Sequence, residues 1–301
     1  MMNDPLVEAA VAALRESPSY RLSAIIEMAR LSPATRDKLM EHYADQFWPL
    51  LQQEQFANLR DIGPWLFGAR PGSGVSAQYE FLWGIRESAG TAVCGWIISA
   101  MPPVQLVQHL SHANVVTGTD GHPYLLRYHT SLALQVLSVR RELPGIVDLL
   151  APIKYWWIPL AHPKNQRAYL QSQRWYQIAG YDRPEATQRP TLTLDEACWE
   201  ALAGDPLSHR IAELLKHEKP TPDFPESCHG TRLGLIQYYL DAAREQGLSR
   251  EDDLITYVLM MAHNGEEMNL TPAWQQALAA ARDQRTSLSD AVQTYLRPIS
   301  C

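Results

Sequence analysis

No stretch of this 301-residue sequence is apolar for long enough to cross a bilayer as a helix; the most apolar run, residues 91–103, is too short. Residues 1–17 carry Asp4 and Glu8, and their apolar positions have helical spacing instead of the continuous core of a signal peptide. No Lys/Arg-rich run is present, and the formal charge of −7 argues against a non-specific nucleic-acid binder, which would need a basic stripe to neutralise phosphates. The cysteines, Cys94, Cys198, Cys228 and Cys301, are far apart and form no C-x-x-C pair. That pattern fits reduced thiols in a cytoplasmic protein better than a disulfide framework. Together these absences predict a soluble cytoplasmic protein whose partners are neither nucleic acid nor membrane.

Signatures of catalysis are also missing. Residues 68–74 (GARPGSG) are glycine-rich but lack the lysine and hydroxyl of a P-loop and the G-x-G-x-x-G spacing of a dinucleotide site, so an ordinary loop between a strand and a helix accounts for them. No G-x-S-x-G elbow occurs. His109 and His112 lie three apart on a predicted helix, with His122 and His129 following, but no H-E-x-x-H accompanies them and Asp120 is a natural turn residue. Solvated or edge histidines are the expectation. Cys228 and His229 are adjacent, whereas catalytic pairs are usually brought together by the fold. Cys94 falls in a predicted central strand, where packing explains it. Residues 251–253 (EDD) open a predicted helix and complement its dipole. No catalytic residue, metal ligand or cofactor is expected, and the chain reads as something other than an enzyme.

What the sequence does hold is an ordinary folding complement: 46% of residues are apolar and 20% charged. Its length favours two domains. Residues 5–16 have the spacing of an amphipathic helix, and 21–28 of a buried strand. Ser32-Pro33 opens a helix whose apolar positions, Leu39, Tyr43, Phe47 and Leu50, recur at three and four residues. Strands are predicted at 64–69, 92–101, 122–128 and 153–160, with helices at 79–87, 103–113 and 131–141 between them. This alternation predicts an α/β fold, a small mixed or parallel sheet covered by helices. Beyond residue 161 the pattern breaks. Helices are then predicted at 231–246, ending at Gly247, at 249–264, at 271–284 and at 288–296. The predicted organisation is an α/β domain over 1–160, a connecting segment over 161–190 and an all-helical C-terminal domain over 191–301.

Aromatic residues concentrate in the α/β half: Trp65, Trp83, Trp96, Tyr155, Trp156 and Trp157. About two thirds belong in a core, and those left exposed would mark a protein interface.

The order of segments resembles the domain of unknown function 4123 family, the effector chaperones (adaptors) of bacterial type VI secretion. The resemblance rests on residues 24–29 (AIIEMA), then Gly63-Pro64-Trp65-Leu66, then Trp83-Gly84-Ile85, then residues 99–102 (SAMP), and residues 121–128 (GHPYLLRY). The helical run Tyr239-Leu240-Asp241-Ala242-Ala243 through Gly247-Leu248-Ser249 to Tyr257-Val258 resembles the family's tail. Two positions depart from it: Thr130-Ser131 stands where Asp-Pro is usual, and Glu27 where aspartate is frequent. The resemblance implies an adaptor that binds one cognate secreted effector in the producing cell, stabilises it and promotes its loading onto the valine-glycine-repeat spike protein. It implies partner binding at the motif positions Trp65, Trp83, Arg127 and Tyr128. An immunity-type toxin-binding protein, or a small hydrolase, remains the alternative on the residues alone.

Overall fold

The computed structural model describes residues 4–118, 120–160, 174–185, 188–217, 229–283 and 285–296. The chain divides into two compact units. The first runs to Leu160 and resumes as far as Leu202; the second takes the described residues from Ala203 onward.

The first unit is built on six strands: β1 (Arg21–Glu27), β2 (Phe47–Pro49), β3 (Pro64–Gly68), β4 (Val93–Ser99), β7 (Ile153–Pro159) and β8 (Trp175–Ala179). They lie side by side in the order β2-β3-β1-β4-β7-β8. A two-stranded ribbon, β5 (Val115–Thr117) and β6 (Pro123–Leu125), stands apart from this sheet. The α/β layer is as the alternation predicts, but every neighbouring pair is antiparallel, so the mixed or parallel pairing is corrected. The reason lies in where β1 sits. β3 and β4 run the same way and are joined through a helix, as in a parallel crossover, but β1 occupies the gap between them and pairs with both.

Strict alternation along the central strands sends side chains to two cores. Ala24, Ile26, Trp65, Phe67, Trp96 and Ile98 face one side. That side is covered by α1 (Pro5–Glu16), α2 (Pro33–His42) and α3 (Val75–Ala89), through residues such as Leu6, Leu14, Leu39, Leu82 and Ile85. Ile25, Leu66, Ile97 and Trp156 face the other. There α4 (Pro103–Ser111), α5 (Ser131–Val139), α6 (Ile146–Leu150) and α7 (Glu196–Ala203) contribute Leu106, Leu110, Leu134, Leu149 and Cys198. Strands buried on both faces read as continuous apolar runs, which is why β1 and β4 carry no polar alternation. Two glycines are set by close approach. A Cβ on Gly68 would sit 2.6 Å from the Pro103 ring at the start of α4, and one on Gly95 would sit 2.7 Å from Trp156 Nε1 on β7.

Local signals fix the helix ends. Ser32 accepts from Thr35 N (3.2 Å), and Asp4 caps α1 by accepting from Leu6 N (3.0 Å). The helix predicted through Leu50 stops at His42: Asp45 turns the chain at φ 65°, and residues 47–49 become edge strand β2. Residues 161–173 of the expected connecting segment lie outside the described residues. Residues 175–179 of the same segment pair with β7 as the opposite edge strand, so the sheet reaches past the expected boundary.

The second unit is helical. It holds α8 (Pro206–Leu214), α9 (His229–Glu245), α10 (Glu251–Asn264), α11 (Pro272–Arg282) and α12 (Leu288–Tyr295). Its core gathers Leu235, Tyr239, Leu240, Tyr257, Val258, Met261, Trp274 and Leu288. Gly247, at φ 85°, follows α9 as predicted. Asp253 does more than complement a dipole. It is 2% exposed and accepts from Leu288 N (2.7 Å), so the first turn of α10 caps the start of α12.

Candidate functional site

One cluster of polar residues in the first unit gathers at the last residue of β1. Glu27 is 3% exposed, held on β1 opposite Pro64 of β3. The chain leaving β6 and entering α5 passes beside it, bringing Arg127, Tyr128 and His129. Arg127 forms an ion pair with Glu27 through Nη2. His129, 1% exposed, places Nε2 3.3 Å from the same carboxylate oxygen. Tyr128 is fully buried between its neighbours, its ring edge-on to His129 (centroids 5.8 Å) and to Trp156 (6.2 Å). Thr130 then caps α5 by accepting from Ala133 N (3.4 Å).

Electrostatics follow from this burial. Burial opposes charge on Glu27, but the hydrogen bonds and charges of His129 and Arg127 outweigh it and hold the carboxyl below the usual carboxylate range. Burial disfavours the imidazolium of His129 more strongly than Glu27 favours it, so this histidine is neutral at pH 7. Neutral His129 therefore donates from Nε2, and Arg127 supplies the charge that Glu27 requires. The other ring nitrogen, Nδ1, is buried without a hydrogen-bond partner among the described residues, as is the Tyr128 hydroxyl. Burial raises the pKa of that hydroxyl well above its ordinary value.

The arrangement presents one group outward. Arg127 leaves 43% of its side chain in solvent while Glu27 fixes one end of the guanidinium fork. A guanidinium has five donors, so most remain for an incoming carboxylate or carbonyl. Glu27 and His129 themselves are shielded, which makes them positioning groups.

Of the four motif positions, the structure brings Arg127 and Tyr128 together and places the two tryptophans elsewhere. Trp65 on β3 donates from Nε1 to Arg60 O (2.7 Å) and packs on Phe47 (5.3 Å), closing the sheet at its β2 edge. Trp83 on α3 is half-buried under the Arg86 guanidinium, 5.0 Å from the ring centre. Arg86 also pairs with Asp4 (2.6 Å), so Trp83 belongs to a tie between α1 and α3. Among the aromatic set, Trp65, Trp96, Trp156 and Trp157 are buried, and Trp83 and Tyr155 are partly exposed.

The histidine expectation is corrected for two residues. His109 and His129 are buried, because each finds an internal acceptor: Leu149 O at 3.3 Å for His109, and Glu27 for His129. Among the described residues no three His, Cys, Asp or Glu converge as a metal set. Cys228 and Cys301 lie outside the described residues, as does the side chain of His229. Cys94 is half-buried and Cys198 fully buried. No helix among the described residues is long and apolar enough to cross a membrane. His129 was missed by sequence reasoning as a partner of Glu27; the only signal was its place two residues beyond Arg127.

No curated protein and no solved structure matches the chain. A family model does match, over residues 22–143, from β1 to just past α5, and it contains both sides of the Glu27–Arg127 pair. That model is the one described as Domain of unknown function (DUF4123), and the segment from β1 to just past α5 is what is similar to it.

Proposed function

We propose that the chain is a cytoplasmic adaptor, a chaperone that binds a cognate type VI secretion effector in the producing cell, keeps it stable and promotes its loading onto the valine-glycine-repeat spike protein. The observation that carries this is Arg127, an exposed guanidinium aimed by a buried carboxylate within the family-matched segment. Arginine held in this way suits recognition of a protein surface, where Arg, Trp and Tyr dominate the binding energy. Binding, not chemistry, is the role. Glu27 and His129 are too deeply covered to touch a substrate, and both are engaged with each other or with Arg127.

The test is affinity purification of the tagged full chain from its native cells, with mass spectrometry of what accompanies it. One large effector, or the spike protein, at near-stoichiometric recovery is the expected result. Arg127→Ala should cut that recovery at least tenfold, with Arg127→Lys intermediate because charge persists but the fork is lost. Recovery of nothing from cells shown to express the secretion apparatus would overturn the proposal. A partner toxin whose action the chain blocks, without any effect on secretion, would replace it with an immunity role.

A further inference from the structure

Along the outer flank of α4 lies a pocket of about 740 Å³ whose described lining residues all belong to the first unit. Its composition is unlike that of a small-molecule site, where apolar and aromatic side chains predominate around a few polar groups. Met101 and Pro184 are its only apolar lining residues among those described. The wall along the helix is instead a polar stripe at helical spacing, Gln105, Gln108, His109 and His112. Gln52 and Gln53 face it from the chain after β2, and Gln188 from the chain after β8.

The charge in this pocket is balanced. Its described lining holds one cation, Arg189, and one carboxylate, Glu185. Burial keeps His109 and His112 neutral at pH 7, reinforced at His112 by the positive charge of Arg189. What remains is a row of carboxamides, each with two N–H donors and a carbonyl that accepts twice. One carboxamide is anchored at the end of α4: Gln53 donates from Nε2 to Ser111 O (2.5 Å). A wall that offers both donors and acceptors, its described charges balanced, complements a group that also offers both N–H and C=O. The polypeptide main chain is that group. From residue 105 to residue 112 the stripe is roughly 10 Å long, at about 1.5 Å rise per residue. That matches about three residues of extended chain, at about 3.3 Å each.

We infer that this glutamine-lined groove holds an extended segment of the client polypeptide by its main chain, as a second contact beside Arg127. This rests on the adaptor proposal and adds the place and the chemistry of capture. Main-chain capture tolerates many side chains, so the groove contributes holding power and leaves selectivity to other contacts.

The experiment places the photocrosslinking residue benzoylphenylalanine at position 105 of the full chain in its native cells. A control carries it at the exposed Tyr79, on α3, which covers the opposite face of the sheet. Irradiation at 105 should link the chain to one short stretch of the co-purifying polypeptide, at least tenfold above the control. Gln105→Arg with Gln108→Arg, both exposed on α4, should lower recovery of that polypeptide at least tenfold with an unchanged melting temperature. If the polypeptide co-purifies in full with the double variant and position 105 does not crosslink above the control, the groove is wrong and the adaptor proposal stands. If wild type recovers no polypeptide at all, both fall.

Discussion

The two units bury their polar groups to different ends. In the first, buried ions join parts of the chain that are far apart in sequence: Glu27 to Arg127 and His129, and Asp4 to Arg86. Tyr20 and Asp182 are tied in the same way. In the second, the ties are closer in sequence and serve helix ends: Asp205 caps α8 and pairs with Arg244 of α9, and Asp253 of α10 caps α12. A helical array satisfies its backbone within each helix, leaving only the termini to be served. A sheet flanked by irregular connections must instead pin those connections to its strands. Polar burial in the first unit therefore shapes a surface, whereas in the second it completes a scaffold.

The largest expected effect tests whether the units are separate. Trp156→Ala and Trp274→Ala each empty a fully buried site, and each should cost about 3–5 kcal/mol. Urea unfolding followed by hydrogen exchange should show the loss confined to the first unit for Trp156 and to the second for Trp274. Equal loosening of both units by either variant would erase the contrast. Next comes Glu27→Gln, which keeps shape but removes the counter-charge of Arg127. A cost of about 2 kcal/mol is expected, below the ~3–5 of a wholly buried pair because Arg127 reaches water.

Acidity sharpens the same point. Glu27 and His129 both have lowered pKa values in the fold, so the unfolded chain binds more protons just below their ordinary values. The stability they supply is present above about pH 6.5 for His129 and about pH 4.3 for Glu27, and is lost as pH falls through each folded value. Melting followed from pH 7 to pH 4 should decline in the first unit. His129→Gln should remove the part of that slope just below pH 6.5, and Glu27→Gln the part near pH 4. An unchanged slope in both would show that the cluster does not carry it.

Smaller effects are expected in the second unit. Asp253→Ala should cost about 1–2 kcal/mol, as a lost cap and an orphaned Leu288 N–H, and should fray α12 first in hydrogen exchange. Arg210→Ala breaks an ion pair whose members are both largely in solvent, so no measurable change in melting is expected.

Much of this was legible in the sequence, for reasons that also mark where legibility stops. Apolar runs and proline or glycine punctuation located β1, β3, β4 and β7, and the helices α4, α11 and α12, to within a few residues. Pairing sense was not legible, because alternation of strands and helices cannot reveal that β1 fills the gap between β3 and β4. Neither was β2: Phe47 continues the helical spacing from Leu39 and Tyr43, and only the positive φ of Asp45 stops it. β8 was hidden because Tyr176 and Gln177 lie at an exposed edge and carry no apolar signature. At the site, Arg127 and Tyr128 came from family motifs, whereas His129 became meaningful only once folding set it against Glu27. The groove along α4 was invisible: its glutamines are spread over residues 52 to 188, and glutamine carries no motif of its own.

The position of β1 has a consequence for how the protein is made. Residues 21–27 emerge from the ribosome before either of the strands that complete their two hydrogen-bonding edges, β3 and then β4. Until Ser99 has been synthesised, the nascent chain carries an apolar strand open on at least one side, the kind of edge that recruits other chains. Nascent chains stalled before residue 99 should therefore be cut by protease within residues 21–27, and chains stalled well beyond it should resist.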